Sequence, residues 1–156
     1  FSIPHVIVSG GNNRFQSVRN GLNSIGETSG LVAIHDGVRP FISKRVIEES
    51  YSIAEKKGNA VAAVELKDSI RLIHGTENKS VDRTKYKIVQ TPQTFQIQQI
   101  RDAFHKAQHM DFTDDASVSE AAGYAVELIE GSYDNIKITT PEDLAMAESI
   151  LKKFEY

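Results

Sequence analysis

DNIKITTPED, at residues 134–143, is the stretch of this chain with the clearest structural signal. The alternation of apolar residues around Lys137 predicts a short strand, and Thr140, Pro141 and Asp143 provide the N-cap, first-turn proline and capping-box acid that open a helix. Lys137 is therefore expected near the positive end of that helix. A cation at such a position favours an anion-binding site, typically for phosphate, although an ordinary strand-to-helix corner with a surface lysine has the same sequence pattern.

The same change from short apolar runs to helical periodicity recurs along the chain. The predicted strands are residues 6–8, 31–34, 60–64, 126–129 and 136–138. The predicted helices begin near residues 15, 43, 97, 116 and 141, and the last carries an apolar stripe formed by Leu144, Ala147, Leu151 and Phe154. Alternating strands and helices predict an α/β fold, a Rossmann-like and mainly parallel sheet with helices on both faces, whose ligands bind beyond the carboxyl ends of the strands.

Residues 65–89 depart from this alternation. Polar and apolar residues alternate there around a turn at residues 75–78, with the sequence GTEN, which predicts an antiparallel β-hairpin. We therefore expect the hairpin to be an arm inserted into the α/β series.

Length and composition restrict the class of protein. A chain of 156 residues suits one domain with its own core. Its 18 basic and 21 acidic residues give a net charge of −3, so no broad positive field is available for nucleic acid or an anionic membrane. The absence of cysteine excludes disulfides and thiolate metal sites and fits a reducing cytosol. No apolar run approaches the roughly 20 residues that cross a bilayer, so we expect a soluble, cytoplasmic protein.

Two turns carry residues suited to binding. GGNNR, at residues 10–14, joins a predicted strand to a helix, where glycine lets backbone N–H groups approach a ligand; a plain turn capped by asparagine would use the same residues. HDGVRP, at residues 35–40, places Asp36 and Arg39 just after a buried strand. Asp36 could hold a ribose hydroxyl or a hydrated cation while Arg39 binds a phosphate with two N–H groups, or the two could pair with each other. We assign His35 to packing.

Adjacent acids at Asp114 and Asp115 allow a two-metal interpretation, in which carboxylates hold cations around a phosphoryl group. Because neighbouring residues on a helix do not share a face, a helix start is favoured instead, with Thr113 as a hydroxyl contact. We assign no metal ligand. On spacing alone, Asp68-Ser69 and Asp82-Arg83 are exposed residues of the hairpin.

Together these motifs resemble the 2-C-methyl-D-erythritol 4-phosphate cytidylyltransferase family of the non-mevalonate isoprenoid pathway. The matching stretches occur in family order and are GGNNR (10–14), SVRNGL (17–22), HDGVRPF (35–41), DS (68–69), QTPQTF (90–95), TDDAS (113–117), EGS (130–132) and NIKITTPEDL (135–144). The ribitol-5-phosphate cytidylyltransferase branch shares the His-Asp-x-x-Arg-Pro and Thr-Pro-Gln-x-Phe elements. DDAS and SVRNGL are more similar to the methylerythritol branch.

The resemblance implies transfer of a cytidylyl group from CTP to methylerythritol phosphate, with a divalent cation, usually Mg²⁺, and release of pyrophosphate. The residues implied in catalysis are Lys137, Asp36 and Arg39. The residues implied in substrate binding are Gly11, Asn12, Ser17, Gly37, Ser69, Arg83, Thr91 and Thr113.

The implied roles fall into separate regions. The residues expected at the cytosine are Gly11, Asn12 and Ser17. Those expected to hold the acceptor phosphate are Arg39, Ser69, Thr91 and Thr113, while Asp36 and Gly37 would lie against the ribose and the acceptor. Lys137 would stabilise negative charge as the α-phosphate is attacked. The arm at 65–89 would form a homodimer and bring Arg83 into the site of the partner subunit.

The resemblance covers only the C-terminal two-thirds or so of the family, which begins with a strand and a glycine-rich loop that clamps the triphosphate. Residues 1–156 are therefore expected to be a partial nucleotidyltransferase domain without useful transferase activity alone. Asn12, Gly37 and Ser69 stand where the family commonly has an acid, Ala and Thr. Two other interpretations stay open: a non-catalytic binding or dimerisation module, and a Mg²⁺-dependent phosphatase built on Asp114 and Asp115.

Overall fold

A computed structural model of the chain describes residues 2–153. Helices and strands alternate along most of this length, as the periodicity predicts. In chain order they are α1 Arg14–Ser24, β1 Leu31–Ile34, α2 Lys44–Lys57, β2 Asn59–Glu65, β3 Arg71–His74, β4 Glu77–Ser80, β5 Lys87–Gln96, α3 Ile97–Lys106, α4 Asp115–Ala121, β6 Leu128–Glu130 and α5 Pro141–Leu151. Within the described residues, no helix has the length and apolarity needed to cross a membrane.

The central sheet has the strand order β1-β5-β2-β6. β2 and β6 are parallel, and β5 runs antiparallel to both of its neighbours, so β1, β2 and β6 all point the same way. The α/β class with mainly co-directional strands is confirmed. β5 is the exception, and the sequence did not predict it, because a proline inside an apolar run argues against a sheet strand.

An irregularity in β5 explains how the sheet accommodates Pro92. Val61 lies opposite Gln93 and Ala63 lies opposite Val89, so three residues of β5, numbers 90–92, face Ala62 alone. The extra residues form a bulge. Pro92 has no N–H donor, and inside the bulge no ladder hydrogen bond requires one. The Thr91–Pro92 peptide bond is cis. The bulge also turns polar side chains of β5 out of the regular alternation.

Two apolar clusters cover the two faces of the sheet. One contains Phe15 of α1, Val61 of β2 and Phe104 of α3. The other contains Val46 of α2, with Ala60 and Ala62 of β2. Successive residues of β2 therefore face opposite clusters, which is the arrangement expected of a central strand buried by helices on both sides.

The predicted hairpin is confirmed. β3 and β4 form a separate two-stranded sheet joined by the two residues Gly75 and Thr76, with Arg71 opposite Ser80 and His74 opposite Glu77. All eight strand residues are exposed. Its role as a dimerisation arm stays a prediction.

Two predicted strands are absent. Residues 6–8 pair with no strand in the described part of the chain, and Val6 and Ile7 are 80% and 91% exposed. Residues 136–138 form no ladder; Ile138 N donates one hydrogen bond of 2.9 Å to Val38 O, which attaches the segment to the turn after β1. An apolar run needs a partner strand to become part of a sheet, and the run alone does not specify one.

The final helix begins where the sequence predicts. Thr140 caps it and forms a capping box with Asp143. Its buried residues are Ala147 and Ile150, whereas Leu144 and Leu151 of the predicted stripe are exposed. Phe154 lies outside the described residues.

Gly58 ends α2 with φ of 98°, and a Cβ placed there would lie 2.5 Å from Gln99 Oε1. We expect Gly58→Ala to lower the free energy of unfolding by about 1–2 kcal/mol, because side chains rarely adopt this backbone conformation. Urea denaturation measures the change.

Gly21→Ala is the matched control. Gly21 lies inside α1, where a Cβ would meet nothing within 4 Å. Alanine should raise the free energy of unfolding there by about 0.5–1 kcal/mol. Equal effects of the same sign at the two positions would contradict this account of the α2 terminus.

Candidate active site

A cleft of about 230 Å³ lies next to the bulge of β5 and the turn that follows β1. Its wall combines residues that are far apart in the sequence. They are Arg14, Asp36, Arg39, Val89, Gln90, Thr91, Gln93, Thr113, Asp114 and Lys137. Five of the predicted site residues are brought together here, namely Asp36, Arg39, Thr91, Thr113 and Lys137.

Two cations meet at one carboxylate oxygen in this cleft. Lys137 Nζ lies 3.2 Å and Arg39 Nε 3.3 Å from Asp36 Oδ2. Arg39 also donates from Nη1 to Asn135 O at 2.8 Å. Lys137 therefore turns toward Asp36, and the helix start after it is satisfied by its own capping box. The Lys137 side chain is 46% exposed, so its ammonium group is open to a ligand.

The pKa of Asp36 is lowered. Burial acts to raise it, but the hydrogen bonds and charges of Lys137 and Arg39 outweigh burial. Asp36 is therefore ionised at neutral pH. One carboxylate is shared by two cations, so it neutralises only part of the positive charge of Lys137 and Arg39.

His35 joins two of these residues, although we assigned it to packing from the sequence. Its Nε2 lies 2.9 Å from Arg39 O and its Nδ1 lies 3.0 Å from Thr91 Oγ1. A carbonyl only accepts, so Nε2 carries a proton toward Arg39 O, while Nδ1 pairs with the Thr91 hydroxyl. Thr91 Oγ1 also accepts from Asp36 N at 3.0 Å. The Thr91 side chain thereby fixes the backbone at Asp36.

Another part of the wall is built around an ion pair whose carboxylate is fully buried. Arg14 donates from Nη1 and Nη2 to the two carboxylate oxygens of Asp115 at 2.9 and 2.6 Å, and the Asp115 side chain has no exposed surface. Burial raises the pKa of Asp115, and the Arg14 guanidinium opposes that rise. The pair connects the first turn of α1 to the first turn of α4.

Gln93 completes this wall. Its Oε1 accepts from Asp115 N at 3.0 Å and Ala116 N at 2.8 Å, and its Nε2 donates to Asp114 Oδ2 at 3.2 Å. Asp114 in turn caps α4 by accepting from Ser117 N. The adjacent aspartates are thus engaged in holding α4, which favours the helix-start interpretation over a phosphatase. Among the described residues, no group of three His, Cys, Asp or Glu side chains is placed to hold a metal ion.

The glycine-rich turn before α1 donates hydrogen bonds to side chains at the start of α1. Ser17 Oγ accepts from Gly11 N at 2.9 Å, and Gln16 Oε1 accepts from Asn12 N at 2.8 Å. A Cβ on Gly11 would lie 2.2 Å from Gln16 Cβ, so close approach of the helix requires glycine. Gly11, Asn12 and Ser17 do not line the cleft, and their roles stay predictions.

Three further predicted residues also lie outside the cleft lining. Gly37 is in the turn closed by the hydrogen bond from Arg39 N to Asp36 O. Ser69 and Arg83 are exposed at the base of the hairpin, where Arg83 donates to Lys67 O. Their substrate contacts stay predictions too.

Sequence reasoning missed five residues that shape the site. They are Arg14, His35, Gln90, Gln93 and Asn135. For Gln90, Gln93 and Asn135, the available signal was the amide itself, because an amide that becomes buried needs hydrogen-bond partners. Which groups they contact depends on long-range folding and has no local pattern.

Comparison with known proteins identifies the family. A sequence model described as 2-C-methyl-D-erythritol 4-phosphate cytidylyltransferase matches residues 2–153. The chain belongs to this family. The member from Bacteroides thetaiotaomicron is 43% identical over 151 residues, covering 97% of this chain and 68% of that protein. The member from Alkaliphilus oremlandii is 48% identical over 152 residues, covering 94% and 64%. The chain spans about two-thirds of the length of these relatives.

Solved structures of the cytidylyltransferase family share the fold. The structure of the enzyme from Thermus thermophilus matches with a TM-score of 0.84 and 34% identity over 92% of this chain and 71% of that chain. The structure from Francisella tularensis matches with a TM-score of 0.85 and 30% identity over 96% and 75%. The resemblance drawn from the motifs is confirmed, and the family is one of nucleotidyltransferases.

Removing one partner of the buried pair should be costly. We expect Arg14→Met to lower the free energy of unfolding by about 3 kcal/mol, because it leaves the Asp115 carboxylate buried and unpaired. The double variant Arg14→Met/Asp115→Leu should recover most of that loss. Urea denaturation compares them with Lys44→Met, which breaks an exposed pair with Glu48 and should cost less than about 1 kcal/mol. A double variant no more stable than Arg14→Met would contradict this assignment.

The lowered pKa of Asp36 predicts a direction of pH dependence. Its pairing stabilises the fold above the ordinary carboxyl pKa of 3.8, and the contribution is lost as pH falls through the lower pKa of the folded state. Asp36→Asn should therefore lose less stability than the wild type between about pH 5 and about pH 2. Urea midpoints measured across this range test the difference, with Asp111→Asn as an exposed control. Parallel pH profiles for wild type and Asp36→Asn would refute the prediction.

Proposed function

We propose that the protein transfers a cytidylyl group from CTP to 2-C-methyl-D-erythritol 4-phosphate and releases pyrophosphate, a step in isoprenoid precursor synthesis by the non-mevalonate pathway. The observation that carries the proposal is the convergence of Lys137 and Arg39 on Asp36 inside one cleft. Family membership identifies the chemistry that such a cleft would perform. The activity named for its relatives is the same cytidylyl transfer.

In this reaction a phosphate oxygen of the acceptor forms a bond to the α-phosphorus of CTP. The bond from that phosphorus to the β-phosphate oxygen breaks, and pyrophosphate leaves with the electron pair. Positioning and neutralisation of charge supply most of the catalysis in reactions of this type. Arg39 and Thr91 would hold the acceptor phosphate together with Thr113, and Lys137 would stabilise the charge that develops at the α-phosphate. Asp36 keeps the two cations in place before substrate arrives.

A divalent cation fits this cleft only as part of the nucleotide substrate. Asp36 is shared by two cations, Asp115 is paired with Arg14, and Asp114 caps α4. These three carboxylates are therefore already engaged, whereas Mg²⁺ in nucleotide sites commonly uses substrate phosphates with one or two carboxylates. We propose that Mg²⁺ enters bound to CTP.

The nucleotide side of the site belongs to the turn before α1. Arg14 of that turn lines the cleft, so Gly11, Asn12 and Ser17 lie close in sequence to a cleft residue. We assign these three residues to the cytosine and Gly37 to the region between ribose and acceptor. The cysteine-free composition suits a reducing compartment, and we place the reaction in the cytoplasm.

The hairpin is proposed to join two copies of the chain. Its strands form a sheet separate from the core and expose Leu72 and Ile73. Exposed apolar side chains on a projecting arm favour a protein contact. In the homodimer Arg83 would reach the site of the partner subunit, and Ser69, at the base of the arm, would contact the acceptor phosphate.

The test is an assay of pyrophosphate release by the full-length protein with CTP and Mg²⁺. Methylerythritol phosphate and ribitol phosphate are compared as acceptors at equal concentrations. Higher kcat/KM with methylerythritol phosphate supports the proposal. Preference for ribitol phosphate, or no turnover with either acceptor, would overturn it.

Lys137→Met should lower kcat/KM for cytidylyl transfer on the order of 10²- to 10³-fold, because it removes a charge positioned for the transition state. The melting temperature should change little, since the lysine is half exposed. Lys44→Met is the matched control, because Lys44 is 87% exposed on α2 and away from the cleft. Equal activity of the two variants would exclude Lys137 from the reaction.

A further inference from the structure

Asn135 lies two residues before Lys137 and has no exposed surface. Its backbone carbonyl accepts from Arg39 Nη1 at 2.8 Å, and its side-chain Nδ2 donates to Thr91 O at 2.8 Å. Asn135 therefore contacts Arg39 and Thr91 of the cleft wall, and two residues of backbone join it to Lys137. Asn135 itself does not line the cleft.

Gln90 fixes the orientation of the Asn135 amide. Gln90 Nε2 donates to Ser132 O at 2.8 Å, and Gln90 Oε1 accepts from Ser132 N at 3.2 Å. The same Oε1 faces Asn135 Nδ2 at 3.4 Å. Since Thr91 O and Gln90 Oε1 both accept, the nitrogen of the Asn135 amide must point toward them. The two amides hold the segment before Lys137 against the bulge of β5.

The other end of the Asn135 side chain is unsatisfied. Its Oδ1 is buried and has no hydrogen-bond partner among the described residues. A buried acceptor without a donor destabilises the folded state, so this asparagine is not the choice that stability alone would favour. What Asn135 contributes instead is its two hydrogen bonds with Arg39 and Thr91.

We propose that Asn135 is a positioning residue that sets the placement of Arg39 and Thr91, which would hold the acceptor phosphate, relative to Lys137, which would face the α-phosphate under attack. The inference rests on the proposed function. Asn135 touches no substrate; it acts through the Arg39 guanidinium, the Thr91 backbone and the path of the chain to Lys137. Small displacements of such groups have large effects on transfer, whereas the residues assigned to the cytosine, Gly11, Asn12 and Ser17, are not part of this network.

Asn135→Ala tests the proposal in the full-length protein. Steady-state kinetics with CTP and methylerythritol phosphate should show kcat/KM for the acceptor reduced on the order of 10²-fold, because the positioning bond to Thr91 is lost. The KM for CTP should stay within about threefold of the wild type. The melting temperature should fall by no more than about 4 °C, since the variant also removes the unsatisfied oxygen.

Asn59→Ala is the matched control. Asn59 is 1% exposed and is paired at both ends, donating from Nδ2 to Ala125 O at 2.8 Å and accepting at Oδ1 from Glu127 N at 2.9 Å. It lies at the start of β2 and does not line the cleft. This variant should lose at least as much melting temperature as Asn135→Ala and keep both kinetic constants.

Gln90→Met keeps the proposal testable if Asn135→Ala fails to fold. It removes the second amide and leaves the Asn135 bond to Thr91, so the acceptor kcat/KM should fall by a smaller factor with the CTP KM again unchanged. The inference would be overturned if folded Asn135→Ala had the same acceptor kcat/KM as Asn59→Ala. It would also be overturned if kcat/KM fell equally for the acceptor and for CTP. In either case wild-type turnover would leave the proposed function standing, and an inactive wild type would overturn the function itself.

Discussion

The bulge of β5 is the constraint on which the rest of the site depends. Residues 90–92 lie opposite a single residue of β2, so their side chains leave the regular alternation of the strand. Gln90 then reaches the segment before Lys137, Thr91 reaches the backbone of Asp36, and Gln93 reaches the start of α4. A regular strand would direct alternate side chains to opposite faces and could not contact all three segments with neighbouring residues.

Charges in the cleft are arranged so that some are fixed and one can change partner. Arg14 and Asp115 form a buried pair whose separation would leave a charge without solvent or partner. Lys137 is 46% exposed and Asp36 is 16% exposed, so their contact is more open to solvent than the carboxylate of Asp115. On the proposed function, a phosphate would draw the ammonium away from Asp36 while Arg39 kept its bond to Asn135 O.

Local chemistry explains what the sequence could predict. The start of α5 was predictable because Thr140, Pro141 and Asp143 act within one turn, and the end of α2 because Gly58 accepts a positive φ. β5 was hidden by Pro92, since its place in the sheet depends on a bulge formed with β2. The strand predictions for segments 6–8 and 136–138 were wrong because strand pairing is non-local.

The residues of the candidate site also divide into those with a local sequence signal and those defined by long-range contacts. Asp36 and Arg39 were predictable as candidates because charged residues that follow an apolar run point to the edge of a sheet, and Lys137 because it precedes a capped helix start. The residues that hold them, including Gln90 and Asn135, were not, because a buried amide is defined by partners about 40 residues away.

The position of Lys137 shows why the helix start itself is not the anion site. The N-terminal N–H groups of a helix attract anions when no side chain satisfies them. At α5 the Thr140 side chain accepts from Asp143 N, and the Asp143 carboxylate accepts from Thr139 N and Thr140 N. That carboxylate already provides the negative charge favoured at the helix end. On the proposed function, phosphate binding therefore relies on Lys137 and Arg39, and the segment from residue 135 to residue 137 joins the lysine to the carbonyl that Arg39 contacts.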